Sequence, residues 1–230
     1  MNQYAVQDHR QMIEKVARAL GSELRSKVAF IGGSTTGLQL TDPLAMHNIR
    51  HTKDVDLIVP VIGRVDWQLL QEKLRAQGFH DKLHEQTPVC ALFLGDLRVD
   101  FMPYDAEILG FSNQWYERAL AAAQPALVGE TEIRLVTPEY FLATKLDAYK
   151  GRGNGDVWSS TDIEDVITLF QGRAELVQEV ADAPEDVRDF IRAEIGALLA
   201  CDGLQYAVES AASDRAVRDL IYSRMEKVVE

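Results

Sequence analysis

The chain has 230 residues, 47% of them hydrophobic, and its 24 basic and 36 acidic residues give a formal net charge of −12. This length suffices for one large domain or for two small ones that share a core. The acidic balance argues against broad, unspecific binding to nucleic acid, because such binding depends on Lys and Arg neutralising phosphates.

The cysteine content and hydropathy indicate where the protein acts. Cys90 and Cys201 are far apart and form no Cys-x-x-Cys pair, so the sequence predicts neither a zinc site nor a disulfide framework. No hydrophobic run is long enough to span a bilayer, and residues 1–14 are polar and lack a signal-peptide core. We therefore expect a soluble, cytoplasmic protein without a membrane partner.

Helical and strand patterns alternate along the first part of the chain. Apolar residues at intervals of three and four indicate helices, and short runs rich in Val, Ile and Leu indicate strands. The predicted elements are, in chain order, a helix over Gln7–Leu20, a strand over Lys27–Ile31, a helix over Ser34–Leu40, a strand over Asp54–Pro60, a helix over Val65–Gln77, strands over Val89–Leu94 and Leu97–Met102, a helix over Phe111–Ala123 and a strand over Glu132–Val136. Gly95-Asp96 is expected to be a hairpin turn, and residues 44–53 a polar loop.

From Pro138 to the end of the chain the pattern is helical. Pro138 suits the first position of a helix, which is expected to end near Lys150, before the glycines of residues 151–155. Thr161 and Glu164 have the spacing of a capping box for the next helix. The sequence thus predicts an α/β core over residues 1–136, followed by an all-helical C-terminal domain over residues 137–230.

Two carboxylates occupy alternate positions at the start of the predicted strand Asp54–Pro60. Because successive strand residues point to opposite faces, Asp54 and Asp56 are expected on one face, where their repulsion favours a bound cation. Mg²⁺ prefers such oxygen ligands, and Asp100 in a neighbouring predicted strand would be a third one and could also accept the proton of the incoming hydroxyl. The pattern predicts a site for Mg²⁺-dependent nucleotidyl transfer; the alternative is a solvated strand edge or loop.

A glycine turn, Gly32-Gly33-Ser34, precedes these carboxylates. Glycines let a backbone approach phosphates closely, and Ser34 at the start of a helix would add a hydroxyl and backbone amides. We therefore predict that the turn holds the triphosphate of an NTP. A plain turn is the alternative.

The order of these residues resembles the signature of the nucleotidyltransferase superfamily. In that signature a Gly-Gly-Ser/Thr turn precedes a Ser/Thr-x-Asp-x-Asp strand, and this chain has Gly32-Gly33-Ser34 followed by Arg50-x-Thr52-x-Asp54-x-Asp56. The resemblance implies a polymerase-beta-like mixed sheet with helices, an NTP substrate and two Mg²⁺ ions.

Two later blocks resemble a narrower group, the AbiEii-type nucleotidyltransferases, which are known mostly as toxins of bacterial toxin–antitoxin and phage-defence systems. These blocks are Lys145-Leu146-x-Ala148-x-x-x-Arg152 and Asp162-x-x-Asp165, with Thr161 where the group usually has Lys. The resemblance implies a cognate antitoxin as partner and an acceptor hydroxyl on a tRNA end, a protein side chain or a small molecule.

The resemblance and the residue chemistry together give a predicted site. Asp54, Asp56 and Asp100 are expected to be catalytic and to bind metal; Gly32, Gly33, Ser34, Arg50, Thr52, Lys145, Asp162 and Asp165 are expected to bind nucleotide.

Several of these roles have alternatives that sequence leaves open. Lys145 could clamp the triphosphate or could be a lysine at the rim of helix packing. Asp162 and Asp165 could orient Lys145, contact ribose or cap a helix. Arg50 could bind phosphate or be solvated. A non-catalytic protein of the same fold that binds a partner is the rival to the enzyme.

Overall fold

The computed structural model describes residues 3–82, 88–110, 112–152 and 155–230 of the chain. Within these residues the chain forms two compact units. We call Tyr4–Thr35 and His51–Thr137 the sheet unit, and Thr36–Arg50 together with Pro138–Glu230 the helical unit. The units differ from the predicted division into residues 1–136 and 137–230 chiefly in the segment Thr36–Arg50.

The strands and helices follow the predicted order. The strands are β1 (Ala29–Ile31), β2 (Asp54–Val59), β3 (Ala91–Leu94), β4 (Leu97–Pro103), β5 (Gln124–Val128) and β6 (Thr131–Leu135). The helices are α1 (Gln3–Arg25), α2 (Thr36–Gln39), α3 (Gly63–Ala76), α4 (Ala106–Leu109), α5 (Tyr116–Ala122), α6 (Pro138–Arg152), α7 (Thr161–Gly172), α8 (Leu176–Ala181), α9 (Glu185–Leu199), α10 (Gly203–Ala211) and α11 (Arg215–Val229). Short 3₁₀ segments cover Gly33–Thr35 and Pro43–Asn48.

The sheet unit is built on a mixed sheet. Its described strands lie in the order β3-β4-β2-β1-β6-β5, with β2 parallel to β4 and antiparallel to β1. Phe30, Leu57 and Phe101 on the central strands are fully buried, as is Ile13 on α1. Burying each such side chain stabilises the fold by roughly 1.5–3 kcal/mol. The rings of Phe79 and Phe101 meet edge to face, with 5.4 Å between their centroids.

The helical unit has its own core, to which the segment Thr36–Arg50 is attached. Phe141, Phe170 and Ile191, on α6, α7 and α9, are fully buried. The backbone amides of Thr41 and Asp42 both donate to the carbonyl oxygen of Gly172 at 2.9 Å, which ties the segment to the end of α7.

The predicted fold class is confirmed: a mixed sheet with helices is followed by a C-terminal part in which the described elements are all helices. The hairpin at Gly95-Asp96 is confirmed by the antiparallel pairing of Leu94 with Leu97. Within the described residues, no helix has both the length and the apolar character needed to cross a membrane.

Some local predictions were wrong. The Pro43–Asn48 3₁₀ segment lies in part where a polar loop was expected, with the Asp42 side chain capping its start. The predicted Ser34–Leu40 helix is a 3₁₀ turn followed by the short α2, and β5 was missed. The predicted helix over residues 111–123 is shorter, beginning at Tyr116, and Phe111 lies outside the described residues.

Candidate active site

The register of β2 and β4 brings the predicted catalytic carboxylates onto one face of the sheet. The strands are parallel, and Asp54 pairs with Arg98 while Asp56 pairs with Asp100. Residues paired in adjacent strands, and residues two apart in one strand, have side chains on the same face. Asp54, Asp56 and Asp100 therefore share a face with Arg98.

The side chain of Asp54 is held by the residue two positions before it. The hydroxyl of Thr52 donates to Asp54 Oδ1, and the Thr52 backbone amide donates to His9 Nε2 at 3.1 Å. Thr52 is thus fixed through its backbone to α1 while its hydroxyl orients a carboxylate. Asp54 itself is partly exposed, so its charge remains accessible from solvent.

Asp100 is buried and is bound by a guanidinium on its own strand. Arg98 Nε donates to Asp100 Oδ1 at 2.8 Å, and Arg98 Nη2 donates to Oδ2 at 2.7 Å. Burial raises the pKa of Asp100 above its ordinary value, and the charge of Asp54 adds to this, although Arg98 opposes it. A raised carboxyl pKa is the direction that suits an acceptor of a proton from an attacking hydroxyl.

Cys90 is a neighbour of Asp100 with an inert thiol. Burial raises its pKa to about 11, and the charge of Asp100 contributes to the rise. Because the thiolate is the nucleophilic form, Cys90 is protonated and unreactive at neutral pH.

The glycine turn lies directly against Asp56. Gly32 has a φ of +83°, a conformation that L side chains rarely adopt, and a Cβ there would lie 1.9 Å from Asp56 Oδ2. The Asp56 carboxylate therefore occupies the space of the missing side chain. The amide and the hydroxyl of Thr35 both donate to the carbonyl oxygen of Gly32, at 3.0 and 2.8 Å, and close the turn.

Ser34 in this turn has a buried hydroxyl with an unused hydrogen-bonding capacity. The residue is 1% exposed, and its Oγ has no hydrogen-bond partner among the residues that the structure describes. Buried polar atoms without a partner are rare and call for an explanation. A phosphate oxygen bound at the turn would accept this hydrogen bond.

The residues suit a divalent cation by their chemistry. Three carboxylates on one face are the hard oxygen donors that Mg²⁺ prefers, with water and phosphate oxygens able to complete its coordination. In the arrangement of the described residues, however, no three His, Cys, Asp or Glu side chains are grouped to hold a metal ion. Both oxygens of Asp100 are bound by Arg98 instead.

A second group of predicted residues forms a buried ion-pair network in the helical unit. Lys145 Nζ lies 2.6 Å from Asp165 Oδ2 and 3.3 Å from Asp162 Oδ1. Arg50 donates to both oxygens of Asp165 at 3.1 Å, and the hydroxyl of Thr36 donates to Asp165 Oδ1 at 3.2 Å. Two positive and two negative side chains therefore meet in one buried cluster.

The pKa values of Lys145 and Asp165 move in the directions that keep these two side chains charged. Burial opposes the charge of Lys145, yet Asp165 and Asp162 outweigh it and raise the Lys145 pKa. Burial likewise opposes the charge of Asp165, and Lys145 and Arg50 outweigh it and lower the Asp165 pKa.

The structure thus brings the predicted site residues together in two groups. Seven lie in the sheet unit: Gly32, Gly33, Ser34, Thr52, Asp54, Asp56 and Asp100. Four lie in the helical unit: Arg50, Lys145, Asp162 and Asp165. Asp162 and Asp165 on α7 both contact Lys145 directly, which agrees with a role in orienting that side chain. A clamp by Lys145 on a triphosphate stays a prediction.

Sequence reasoning missed Arg98 and Thr36. Arg98 stands two residues before Asp100 in a predicted strand, so the alternation of the strand could have placed both on one face. Nothing local in the sequence indicates that Thr36 contacts Asp165, because 129 residues separate the two.

Comparisons with known proteins give the following likenesses. No family model matches the chain, and no curated protein matches it in sequence. One similar solved structure is an antigenic nucleotidyltransferase-like protein from Paracoccidioides brasiliensis, with 21% identity and a TM-score of 0.48 over 89% of this chain and 92% of that one. Another is the antibiotic-resistance factor ANT(2'')-Ia, with 16% identity and a TM-score of 0.47 over 87% of this chain and 96% of that one. At these values, neither likeness indicates what this chain binds or catalyses.

Proposed function

We propose that the protein is a metal-dependent nucleotidyltransferase, which transfers an NMP group from an NTP to a hydroxyl acceptor and releases pyrophosphate. The observation that carries the proposal is the pairing of Asp56 with Asp100 on one sheet face, in contact with the turn at Gly32. The sequence signature supports it, because each residue type is one that this chemistry requires. On the same grounds we propose membership of the nucleotidyltransferase superfamily.

In the proposed reaction, Asp54 and Asp56 would hold Mg²⁺ and Asp100 would complete the metal site; the ion would stabilise the charge on the triphosphate and on the leaving pyrophosphate. The Gly33 backbone and the Ser34 hydroxyl would bind the β- and γ-phosphates. The acceptor oxygen attacks the α-phosphorus as the bond to the bridging oxygen of the β-phosphate breaks. Asp100 would take the proton of the acceptor hydroxyl, for which its raised pKa is suited.

More narrowly, we propose an AbiEii-type enzyme that acts as the toxin of a toxin–antitoxin pair. The blocks at Lys145 and at Asp162 to Asp165 support this assignment, and the side chains of Lys145, Asp162 and Asp165 meet in one buried network. The acceptor would be a tRNA end, a protein side chain or a small molecule. Because the net charge is −12, binding of a tRNA acceptor would require a local basic surface.

We expect Asp56→Asn to abolish transfer of label from α-³²P NTPs to an acceptor in the presence of Mg²⁺. Asn keeps the shape of the side chain against Gly32 but removes the charge that a cation requires. Total tRNA, protein extract and a panel of small hydroxylated molecules, tested separately, would also identify the acceptor class. Asp96→Asn, in the hairpin turn between β3 and β4, is the matched control and should leave the transfer rate unchanged. Label transfer that survives Asp56→Asn would contradict the assignment of the site.

One observation favours the rival, a non-catalytic protein that binds a partner. Among the described residues no three-residue metal group is formed, and Asp100 is bound by Arg98. Calorimetric titration with an NTP, with and without Mg²⁺, separates the two functions. If the protein is the proposed enzyme, NTP binding should depend on Mg²⁺. If it is the non-catalytic rival, no metal-dependent NTP binding should be seen.

A further inference from the structure

Arg98 lies among the carboxylates of the candidate active site as an internal positive charge. It pairs in register with Asp54 across the two parallel strands and binds both oxygens of Asp100 along its own strand. Its side chain is 36% exposed, compared with 11% for Asp100. The guanidinium therefore reaches a buried carboxylate from a position that remains open to solvent.

The three carboxylates are the groups that would attract a cation to this face. Asp54, Asp56 and Asp100 share one sheet face, and Arg98 on the same face binds Asp100. A two-point contact between guanidinium and carboxylate is among the strongest protein hydrogen-bond arrangements. It also engages both carboxylate oxygens, so a metal ion would compete with the guanidinium for them.

We propose that Arg98 competes with the divalent cation for Asp100, so that the metal completes its site only when the guanidinium leaves the carboxylate. This inference rests on the proposed function, since it concerns the same site. In the structure, Arg98 neutralises part of the carboxylate charge by donating to both oxygens of Asp100. Arg98 would then give up its two hydrogen bonds to Asp100, and its partly exposed side chain would let the guanidinium turn toward solvent.

The test is a titration of the protein with Mn²⁺ alone at pH 8. Electron paramagnetic resonance measures the concentration of free Mn²⁺ at each step, which gives the binding affinity. We expect Arg98→Met to bind Mn²⁺ roughly threefold to tenfold more tightly than the wild type, because one charge-assisted pair no longer has to be broken. Arg75→Met is the matched control: Arg75 also donates through Nε and Nη2 to a carboxylate, that of Asp81, within the sheet unit. It should leave the affinity unchanged.

Arg98→Lys keeps the charge but loses the two-point contact, so its Mn²⁺ affinity should lie between those of the wild type and Arg98→Met. This variant decides the matter if Arg98→Met fails to fold. A folded variant of Arg98 with wild-type or weaker affinity would overturn the proposal. So would an equal gain in Arg75→Met, because net charge alone would then explain the effect.

Failure of this inference can be told apart from failure of the proposed function. Asp56→Asn should abolish Mn²⁺ binding both alone and together with Arg98→Met. Binding that survives in the double variant contradicts the carboxylate site, and with it the proposed function. Binding that needs Asp56 but is unaffected by Arg98→Met contradicts only the role of Arg98.

Discussion

Gly32 and Asp56 share a space that only one side chain can fill. The carboxylate of Asp56 lies where the Cβ of residue 32 would be, and the positive φ of Gly32 turns the backbone toward it. The chain thus holds a backbone turn and a candidate metal ligand in contact. Glycine at this position allows the backbone conformation of the turn and leaves the space that the Asp56 carboxylate occupies.

We predict that Gly32→Ala destabilises the protein more than Gly63→Ala does. Both glycines have positive φ, +83° and +76°, so both alanine variants lose about 1–2 kcal/mol to the unfavourable backbone conformation. At Gly32 the clash with Asp56 adds roughly 1–3 kcal/mol. Urea unfolding monitored by circular dichroism measures the difference.

Gly63 is a suitable reference, since the Cβ that Gly63→Ala would add meets no described atom within 4 Å beyond its chain neighbours and the backbone of its own helix. Equal losses in the two variants would show that Asp56 moves away at no cost, and that the contact does not fix the carboxylate. Mn²⁺ binding should weaken in Gly32→Ala and remain unchanged in Gly63→Ala.

The start of α7 is set by Ser160, one residue before the predicted cap. The Ser160 hydroxyl accepts from the Ile163 backbone amide at 3.3 Å, and Ser160 has extended backbone angles. Thr161 is the first residue of the helix. The predicted capping box of Thr161 and Glu164 was therefore wrong by one position, because two adjacent hydroxyl residues offer nearly the same spacing.

We predict that Ser160→Ala costs about 1 kcal/mol of stability, because it removes the acceptor for a backbone amide at the helix start. Thr161→Ala is the matched control and should change stability by no more than about 0.5 kcal/mol, as is usual for an exposed position. Thermal unfolding of the two variants would measure both. A larger loss in Thr161→Ala would place the cap at Thr161.

The strands show which elements a sequence pattern can predict. Alternation placed Asp54 and Asp56 on one face, a local property of β2. That Asp100 joins them depends on β4 pairing in parallel with β2 at this register, which no local pattern specifies. β5 was missed because it begins with Gln124 and Pro125, and proline weakens a strand signal except at an edge, where β5 lies.

Across the whole molecule, the least predictable feature is the buried network around Asp165. Helical spacing places Lys145 on a partly apolar face of its helix, which predicts that its charge needs an anionic partner. The structure shows internal anions for Lys145, namely Asp162 and Asp165 on α7, and a clamp on a triphosphate stays a prediction. Arg50 and Thr36 complete the network from a segment more than a hundred residues earlier, which helical periodicity cannot indicate.

We predict that the stability contributed by Lys145 depends on pH with a defined sign. The raised pKa of Lys145 means that the folded state holds this proton more tightly than the unfolded state does. The contribution is fully present below the unfolded pKa of about 10.4 and is lost as pH rises through the higher folded value. The lowered pKa of Asp165 gives a contribution that is present above about 3.9 and lost at lower pH.

Urea unfolding of the wild type and Lys145→Met between pH 6 and pH 11.5 tests this dependence. Lys145→Met should cost roughly 3–5 kcal/mol at neutral pH, since it leaves buried carboxylates short of a partner, and the difference should shrink above about pH 10.4. Lys150→Met is the control on the same helix. Its exposed pair with Glu194 should contribute no more than about 1 kcal/mol. A Lys145→Met difference that stays constant through pH 11.5 would contradict the raised pKa.

The segment Thr36–Arg50 belongs to the helical unit although it precedes most of the sheet unit in sequence, and this affects the order in which the chain can fold during synthesis. Arg50 and Asp165 are 115 residues apart, so a nascent chain that has released Arg50 must be extended by more than a hundred residues before this bond can form. Closing a long loop costs entropy before its contacts are gained, and folding slows as contacts become less local. During synthesis the sheet unit can begin to fold first. The segment Thr36–Arg50 can make its contacts with α7 only after α6 and α7 have left the ribosome. The helical unit is therefore completed late, and a chain cut after Thr137 would carry the segment without the partners that order it.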